Sequence, residues 1–255
     1  MGGRLLVLLL AALAAGQAAA APACRATSEA LARPLVELYT SEGCDSCPPA
    51  DRWFSARFPA ERDAGAVALA FHVDYWDRLG WIDRFASSAY TARQYDAMRA
   101  NRATFVYTPQ VLLQGHEFAW RGADDSIDAP ARQPSRAAIA LDADVRTNEV
   151  AVHVDAEVSD RALARDARLY VAYADSGLVS DVKAGENRGV RLAHDHVARA
   201  LREAGAFDAT GRLHASATLP RPREAGTHPT LIAFVQRAGN GDVLQALALP
   251  LDRCP

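Results

Sequence analysis

Two cysteines separated by two residues, Cys44 and Cys47, carry the clearest chemical signal in the chain. They lie in Thr40-Ser41-Glu42-Gly43-Cys44-Asp45-Ser46-Cys47-Pro48-Pro49, after the apolar run Pro34-Leu35-Val36-Glu37-Leu38-Tyr39 and before the helix-like segment Ala50 to Phe58. A dithiol at the end of a strand and the mouth of a helix can close a reversible disulfide or hold a soft metal. In the redox reading the more exposed Cys44 attacks a client disulfide, and Cys47 resolves the mixed disulfide. A helix N-terminus favours the thiolate through its unpaired N–H groups. Pro48 weakens that effect, because it disfavours helical geometry at Cys47 and places both cysteines just before the helix. In the metal reading, Cys44 and Cys47 are joined by His72 in a set suited to Cu(I) or Zn(II). An inert structural disulfide is the third reading, but so small a loop adds little stability.

The elements needed to position this dithiol are legible around it. Leu35–Tyr39 reads as a strand and Pro49–Phe58 as a helix. Val67-Ala68-Leu69-Ala70-Phe71-His72-Val73 is nearly continuous in apolar character, as a parallel strand covered on both faces must be. Asp83 to Ala100 reads as a helix whose Phe85, Ala89, Tyr95 and Met98 share an apolar face. Thr108–Gly115 and Glu117–Gly122 read as a hairpin turning at Gly115-His116. Residues 123–136, polar and punctuated by Pro130 and Pro134, read as a terminal helix or a linker. Beyond it, Ala138–Asp144, Glu149–Val158, Arg168–Ala174, Leu213–Leu219, Pro229–Gln236 and Val243–Leu249 read as short alternating strands, the pattern of an antiparallel sandwich. One helix-like piece, His196 to Ala204, interrupts them.

Several residues stand to act with the dithiol. Thr108-Pro109 opens a strand after the second helix; in a thioredoxin-like fold that place is held by a cis proline beside the dithiol. The Thr108 backbone would then pair with an extended peptide substrate, with Pro109 positioning it. Tyr75 and Trp76, in the aromatic loop that continues through Leu79 and Trp81, could wall a groove for the client's apolar side chains. Otherwise they are packing. Glu37, in an apolar strand, is either a buried proton shuttle for the resolving thiol or an exposed edge residue. His72 is either a ligand or a core histidine satisfied by Asp74 or backbone. Lys183 to Arg199, with Gly185 and Gly189, is either a loop docked over the dithiol or a local turn network.

The whole chain sets bounds on partners and compartment. Of its 255 residues, 50% are apolar, enough for one large or two ordinary domains. Net charge is −3, the arginines are scattered, and Lys183 is the one lysine, so nothing favours nucleic acid or an anionic membrane surface. Residues 1–23 read as a secretory signal: Arg4, an apolar Leu5–Ala15 core and small residues at Ala19–Ala23. The apolar run is short for a membrane span, and no later segment is long enough for one. Export makes disulfides permissible, and Cys24 and Cys254, at the two ends of the mature chain, are expected to pair. Lipidation of Cys24 is the competing reading; Ala21-Pro22-Ala23 matches it poorly.

The run Val36 to Asp51, together with His72-Val73-Asp74-Tyr75-Trp76-Asp77-Arg78-Leu79-Gly80-Trp81, Tyr107-Thr108-Pro109-Gln110 and Gly185-Glu186-Asn187-Arg188-Gly189 with Leu192, His194, Val197 and Arg199, resembles a bacterial exported thioredoxin-like family known as domain of unknown function 1223. Ala198 departs from it, at a place where a valine is expected. The resemblance covers nearly the whole mature chain and implies no particular substrate. It implies an α/β thioredoxin-like domain, residues 24–136, followed by an all-β immunoglobulin-like sandwich, residues 137–255. The expected function is thiol–disulfide exchange in the periplasm or outside the cell. The partners would be exported client proteins with thiols or disulfides and a redox partner, and no cofactor is called for. A Cu(I) metallochaperone and a non-catalytic binding module are the alternatives.

Overall fold

The computed structural model describes residues 24–122, 124–224 and 226–254; the expected signal segment lies outside them. The first half contains β1 (Cys24–Thr27), β2 (Leu35–Thr40), α1 (Pro48–Arg57), β3 (Val67–His72), α2 (Ser88–Ala100), β4 (Gln110–Leu113) and β5 (His116–Glu117). The second contains β6 (Ala138–Val145), β7 (Glu149–Glu157), β8 (Ala167–Asp175), β9 (Leu178–Asp181), β10 (Arg191–His194), β11 (Val197–Ala206), β12 (Arg212–Pro220), β13 (Thr230–Arg237) and β14 (Val243–Pro250).

Eight strands form one sheet in the order β14-β13-β8-β11-β3-β2-β4-β5. A second sheet, β1-β6-β7-β12, is antiparallel throughout, and β9 and β10 form a separate hairpin. In the large sheet β2 runs parallel to β3, and β3 meets β11 in parallel at Ala70 and Val197; its other pairs are antiparallel. Alternation sorts the side chains between the layers. Along β13, Leu231, Ala233 and Val235 join Ile139, Leu141, Val152 and Val154 of the smaller sheet in one core. Ile232 and Phe234 join Leu35, Tyr39, Leu69 and Phe71 in another. The opposite residues of β2 and β3, with Phe54 and Phe58 of α1 and its C-terminal flank, make a third. Strands β2 and β3 are therefore buried on both faces, which explains their unbroken apolar runs.

This architecture corrects the expected fold class. The chain is mostly β-sheet with few helices, in a large mixed sheet and an antiparallel one, rather than an α/β thioredoxin-like fold followed by a separate sandwich. The decisive element is β11, which inserts between β8 and β3 and joins strands of both halves in one sheet. Its residues, expected as the helix His196 to Ala204, include good helix formers such as Ala198, Ala200, Leu201 and Glu203. Their preference is overridden by pairing along β8, with register shifts at Ala198/Ala200 and Glu203/Gly205 that blur the alternation. At its entrance His196 takes φ 56°, which a helix could not continue.

The helices beside the site start at their caps, and α2 begins at Ser88 rather than at the expected Asp83, whose side chain instead accepts from the Glu42 and Phe85 N–H groups. Pro48 and Pro49 occupy the first turn of α1, where a missing N–H costs nothing. The Ser87 hydroxyl caps α2 by accepting from the Ala89 N–H at 3.2 Å. The expected hairpin forms as β4–β5, but it turns one residue earlier than Gly115-His116, through Gln114 (φ 55°) and Gly115 (φ 85°), with His116 already paired to Leu113. A Cβ on Gly115 would come within 1.9 Å of the Gly241 carbonyl, so this turn requires glycine.

Candidate functional site

The chain leaves the buried strand β2 at Thr40, makes a short loop and enters α1 at Pro48; Cys44 and Cys47 lie on that loop and are joined by a disulfide, with Cα atoms 5.4 Å apart. Cys47 is the N-cap of α1, with helical dihedrals despite the proline after it. Its carbonyl accepts from Ala50 N–H (2.9 Å) and Asp51 N–H (3.1 Å). Because Pro48 and Pro49 have no N–H and the next two are committed to Cys47, the first turn of α1 presents little positive backbone charge to the sulfurs.

Cys44 is not the more exposed cysteine. Both are fully buried, and the exposed residues of the loop are Asp45 and Ser46. The reason is a clamp from the second half of the chain. Asn187 Nδ2 donates to the carbonyls of Glu42 and Cys44, each at 2.9 Å, and Asp45 N–H donates to Glu186 Oε2 at 3.2 Å. The Ser46 hydroxyl sits 3.3 Å from Cys44 Sγ. Of the two readings of Lys183–Arg199, the loop docked on the dithiol is the one these contacts match.

Thr108 lies on the other side of Cys44. Its carbonyl oxygen is 3.9 Å from Cys44 Sγ, and the Thr108–Pro109 peptide bond is cis. Trp76 Nε1 donates to Thr108 Oγ1 at 2.8 Å, fixing the two strand-end loops together. Gly43 packs so closely that a Cβ there would lie 3.1 Å from Trp76 Cβ. Tyr75 donates its hydroxyl to Gln94 Oε1 at 3.3 Å, and Gln94 Nε2 donates to the Tyr107 carbonyl at 2.8 Å. Tyr75, Trp76, Thr108 and Pro109 are half-buried, whereas Phe105 (67% exposed) and Tyr107 (41%) present large apolar surface immediately before Thr108.

Beneath the loop is a buried polar network that the sequence did not reveal as a unit. His72 Nδ1 and Asp83 Oδ2 are 2.6 Å apart with both side chains fully buried. Asp83 also accepts from Glu42 N–H and Phe85 N–H, each at 2.9 Å. The partner of His72 is thus Asp83 rather than Asp74, whose carboxylate accepts from the Thr91 hydroxyl. Glu42 accepts from Trp81 Nε1 at 2.7 Å, and His194 Nε2 lies 3.5 Å from its other oxygen. The His72 and His194 rings meet edge to face, 4.9 Å apart. His72 Nε2, both His194 nitrogens and Glu42 Oε1 have no hydrogen-bond partner.

Charge in this network is mutually held. Burial opposes ionisation of Asp83, but His72 and two backbone N–H groups outweigh it and lower its pKa. Burial likewise opposes a charge on His72, and Asp83 outweighs it, raising that pKa. Glu42 is lowered: burial opposes its charge, and the His194 ring, close at 3.5 Å though outside hydrogen-bond geometry, outweighs it together with the Trp81 N–H. Asp51, which accepts from the Thr40 hydroxyl at 2.9 Å, is raised by burial.

One further residue, Glu37, settles one of the alternatives posed for it. Glu37 is buried and bound by Arg93 at 2.6 Å, so it is a buried ion pair and not an exposed edge residue. Arg93 lies over the rings of Phe71, Tyr170 and Phe234. Among the described residues no three His, Cys, Asp or Glu side chains are grouped as a metal would require, and Cys44, Cys47 and His72 are not such a group. Away from the site, Cys24 and Cys254 are bonded to each other. Among the described residues no helix is long and apolar enough to cross a membrane.

The profile of the family described as "Protein of unknown function (DUF1223)" matches residues 35–236, from β2 to β13. The structure is similar to a crystal structure of an Agrobacterium tumefaciens protein, at 26% identity and TM-score 0.60, covering 87% of this chain and 96% of that one. It is also similar to HBP35 of Porphyromonas gingivalis, at 12% identity and TM-score 0.61, covering 89% of this chain and 77% of that one, a likeness of fold alone. No curated protein matches the chain.

Proposed function

The chain belongs to the family of proteins of unknown function (DUF1223), and from the site that this membership leaves unassigned we propose that it is an exported thiol–disulfide exchange protein. The observation that carries the reading is the Cys44–Cys47 disulfide between β2 and α1, with Cys44 Sγ 3.9 Å from the Thr108 carbonyl, and Thr108 preceded in the chain by the exposed Phe105 and Tyr107. A disulfide that closes a two-residue gap contributes little to stability, whereas a backbone carbonyl next to the sulfur and an adjacent apolar surface suit an extended client chain. The bond between Cys24 and Cys254, at opposite ends of the mature chain, fits an oxidising compartment outside the cytoplasm.

The exchange runs in two balanced steps. The Cys44 thiolate attacks one sulfur of a client disulfide; the Cys44–client bond forms as the client S–S bond breaks, and the second client sulfur leaves as thiolate. The Cys47 thiolate then attacks Cys44 Sγ, re-forming Cys44–Cys47 and releasing the first client thiol. Two electrons pass to the client, and a thiol reductant restores the dithiol. The same steps in reverse oxidise a client. Pro109 and Thr108 position the client chain, and Tyr75 and Trp76 hold the Thr108 loop in place.

The test is reduction of a synthetic peptide disulfide by the pre-reduced protein, with release of thiol measured. Turnover that requires Cys44 supports the proposal. A rate equal to that of free thiols at the same concentration, in protein whose dithiol is shown to be reduced, overturns it.

A further inference from the structure

The Cys44–Asp45 peptide group is held at both ends by consecutive residues of one distant loop. Its C=O accepts from Asn187 Nδ2 at 2.9 Å, and its N–H donates to Glu186 Oε2 at 3.2 Å. Asn187 is buried, and its second amide hydrogen goes to the Glu42 carbonyl at 2.9 Å. Gly185, at φ 71°, starts the loop against Trp81, where a Cβ would lie 3.3 Å from Trp81 Cβ. The loop is therefore seated on the same Trp81 that donates to Glu42.

This arrangement takes one backbone donor, the Asp45 N–H, away from the sulfur and leaves the Ser46 hydroxyl, 3.3 Å from Cys44 Sγ, as the nearby side-chain donor. A cysteine is acidified by nearby N–H groups and positive charge. Here Gly43 N–H goes to Ser41 Oγ, Cys44 N–H to the Ser41 carbonyl and Cys47 N–H to the Cys44 carbonyl. Ala50 and Asp51 N–H go to the Cys47 carbonyl, and Pro48 and Pro49 have none. Asp45 N–H, in the peptide group that follows Cys44, is taken by the Glu186 carboxylate, which places a negative charge one peptide group from Cys44.

We infer that Glu186 and Asn187 are positioning residues that hold the Cys44 thiol weakly acidic and so bias the dithiol–disulfide pair toward the disulfide, making the reduced protein a stronger reductant. The linkage fixes the sign: whatever destabilises the thiolate destabilises the reduced form, and the pair then gives up its electrons more readily. The inference rests on the exchange reading of Cys44 and Cys47, and it gives the second half of the chain a role in setting the redox poise.

Two measurements on the full mature protein test it. Thiolate formation in the reduced protein is followed by ultraviolet absorbance against pH, with a Cys44→Ser variant identifying the Cys44 step. The equilibrium with glutathione is followed in parallel: the Cys44–Cys47 disulfide plus two glutathione thiols gives the dithiol plus glutathione disulfide. Glu186→Gln keeps an oxygen for Asp45 N–H and removes the charge. It should raise the acid dissociation constant of Cys44 about threefold, the effect of one partly screened charge. Measured at a pH above the Cys44 pKa, where the thiolate is the reduced species, the glutathione equilibrium should shift toward the dithiol by a similar factor, a tenfold shift being about 30 mV; well below that pKa the two proteins should converge. Asn187→Ala releases the neighbouring anchor of the loop that carries Glu186 and, by loosening the Glu186 contact to Asp45 N–H, should shift both readouts in the same direction. Unchanged titration and equilibrium in both variants, in protein that still exchanges with the peptide disulfide, overturn the inference and leave the exchange reading intact. A wild type that reaches equilibrium with glutathione but never exchanges with a peptide disulfide overturns the exchange reading instead.

Discussion

Replacing Asp83 with alanine should destabilise the folded protein by about 3–5 kcal/mol near pH 6, the range for breaking a buried charged pair. The side chain is buried, bonded to His72 Nδ1 at 2.6 Å, and accepts from the N–H groups of Glu42 and Phe85. Asp83→Ala leaves three buried donors unpaired, and each unsatisfied group costs roughly 1–3 kcal/mol before relaxation. The pH profile identifies the pair. Asp83 has a folded pKa below its ordinary 3.8, so its contribution is present above that value and lost as pH falls through the lowered one. His72 has a folded pKa above its ordinary 6.5, so its contribution is complete below 6.5 and lost as pH rises through the raised one. The deficit of the variant should therefore be largest between about pH 4 and 6.5 and shrink on both sides. Urea unfolding of wild type and variant at intervals from pH 3.5 to 9, with disulfides intact, measures it. A deficit below about 1 kcal/mol, or one that is flat across this range, refutes the account of the network.

Peptide mapping without reduction should find the bonds Cys24–Cys254 and Cys44–Cys47 in protein from an oxidising compartment; a lipid on Cys24, or its pairing with Cys44 or Cys47, would contradict this. The double variant Cys24→Ser, Cys254→Ser should lose up to about 5 kcal/mol in urea unfolding, because the bond closes a loop of sequence separation 230; a loss below about 1 kcal/mol would show that the terminal strand β1 is held by its pairing with β6 alone. In reduced protein, brief alkylation read by mass spectrometry should label Cys44 ahead of Cys47, since Cys47 caps α1 and its carbonyl is tied to the Ala50 and Asp51 N–H groups while Cys44 lies farther from the helix on the loop; faster labelling of Cys47 would exchange the roles of nucleophile and resolving thiol.

The sequence was most readable where local signals and burial agree. The apolar runs at Leu35 and Val67 became β2 and β3, and the Pro48-Pro49 pair marked the start of α1. It was least readable where long-range pairing decides. Nothing local marks Val197–Ala206 as a strand, because its alanines, leucine and glutamate favour helix and its two register shifts break the alternation. That one element conceals how the halves join in a single sheet. The site divides in the same way. Cys44, Cys47, Thr108 and Pro109 are visible from residue type and spacing. The burial of Cys44, the pairing of His72 with Asp83 and the reach of Asn187 across 143 residues depend on how distant loops meet, which no periodicity records.

The most direct test of the central claim is a trapping experiment with Cys47→Ser in the exporting cell. Without the resolving thiol, the mixed disulfide formed at Cys44 cannot collapse back to Cys44–Cys47. The account predicts high-mass species that contain exported proteins, vanish on reduction and are absent from a Cys44→Ser, Cys47→Ser double variant. No such adducts, together with stoichiometric copper in the purified wild type that is lost on changing His72, would contradict it.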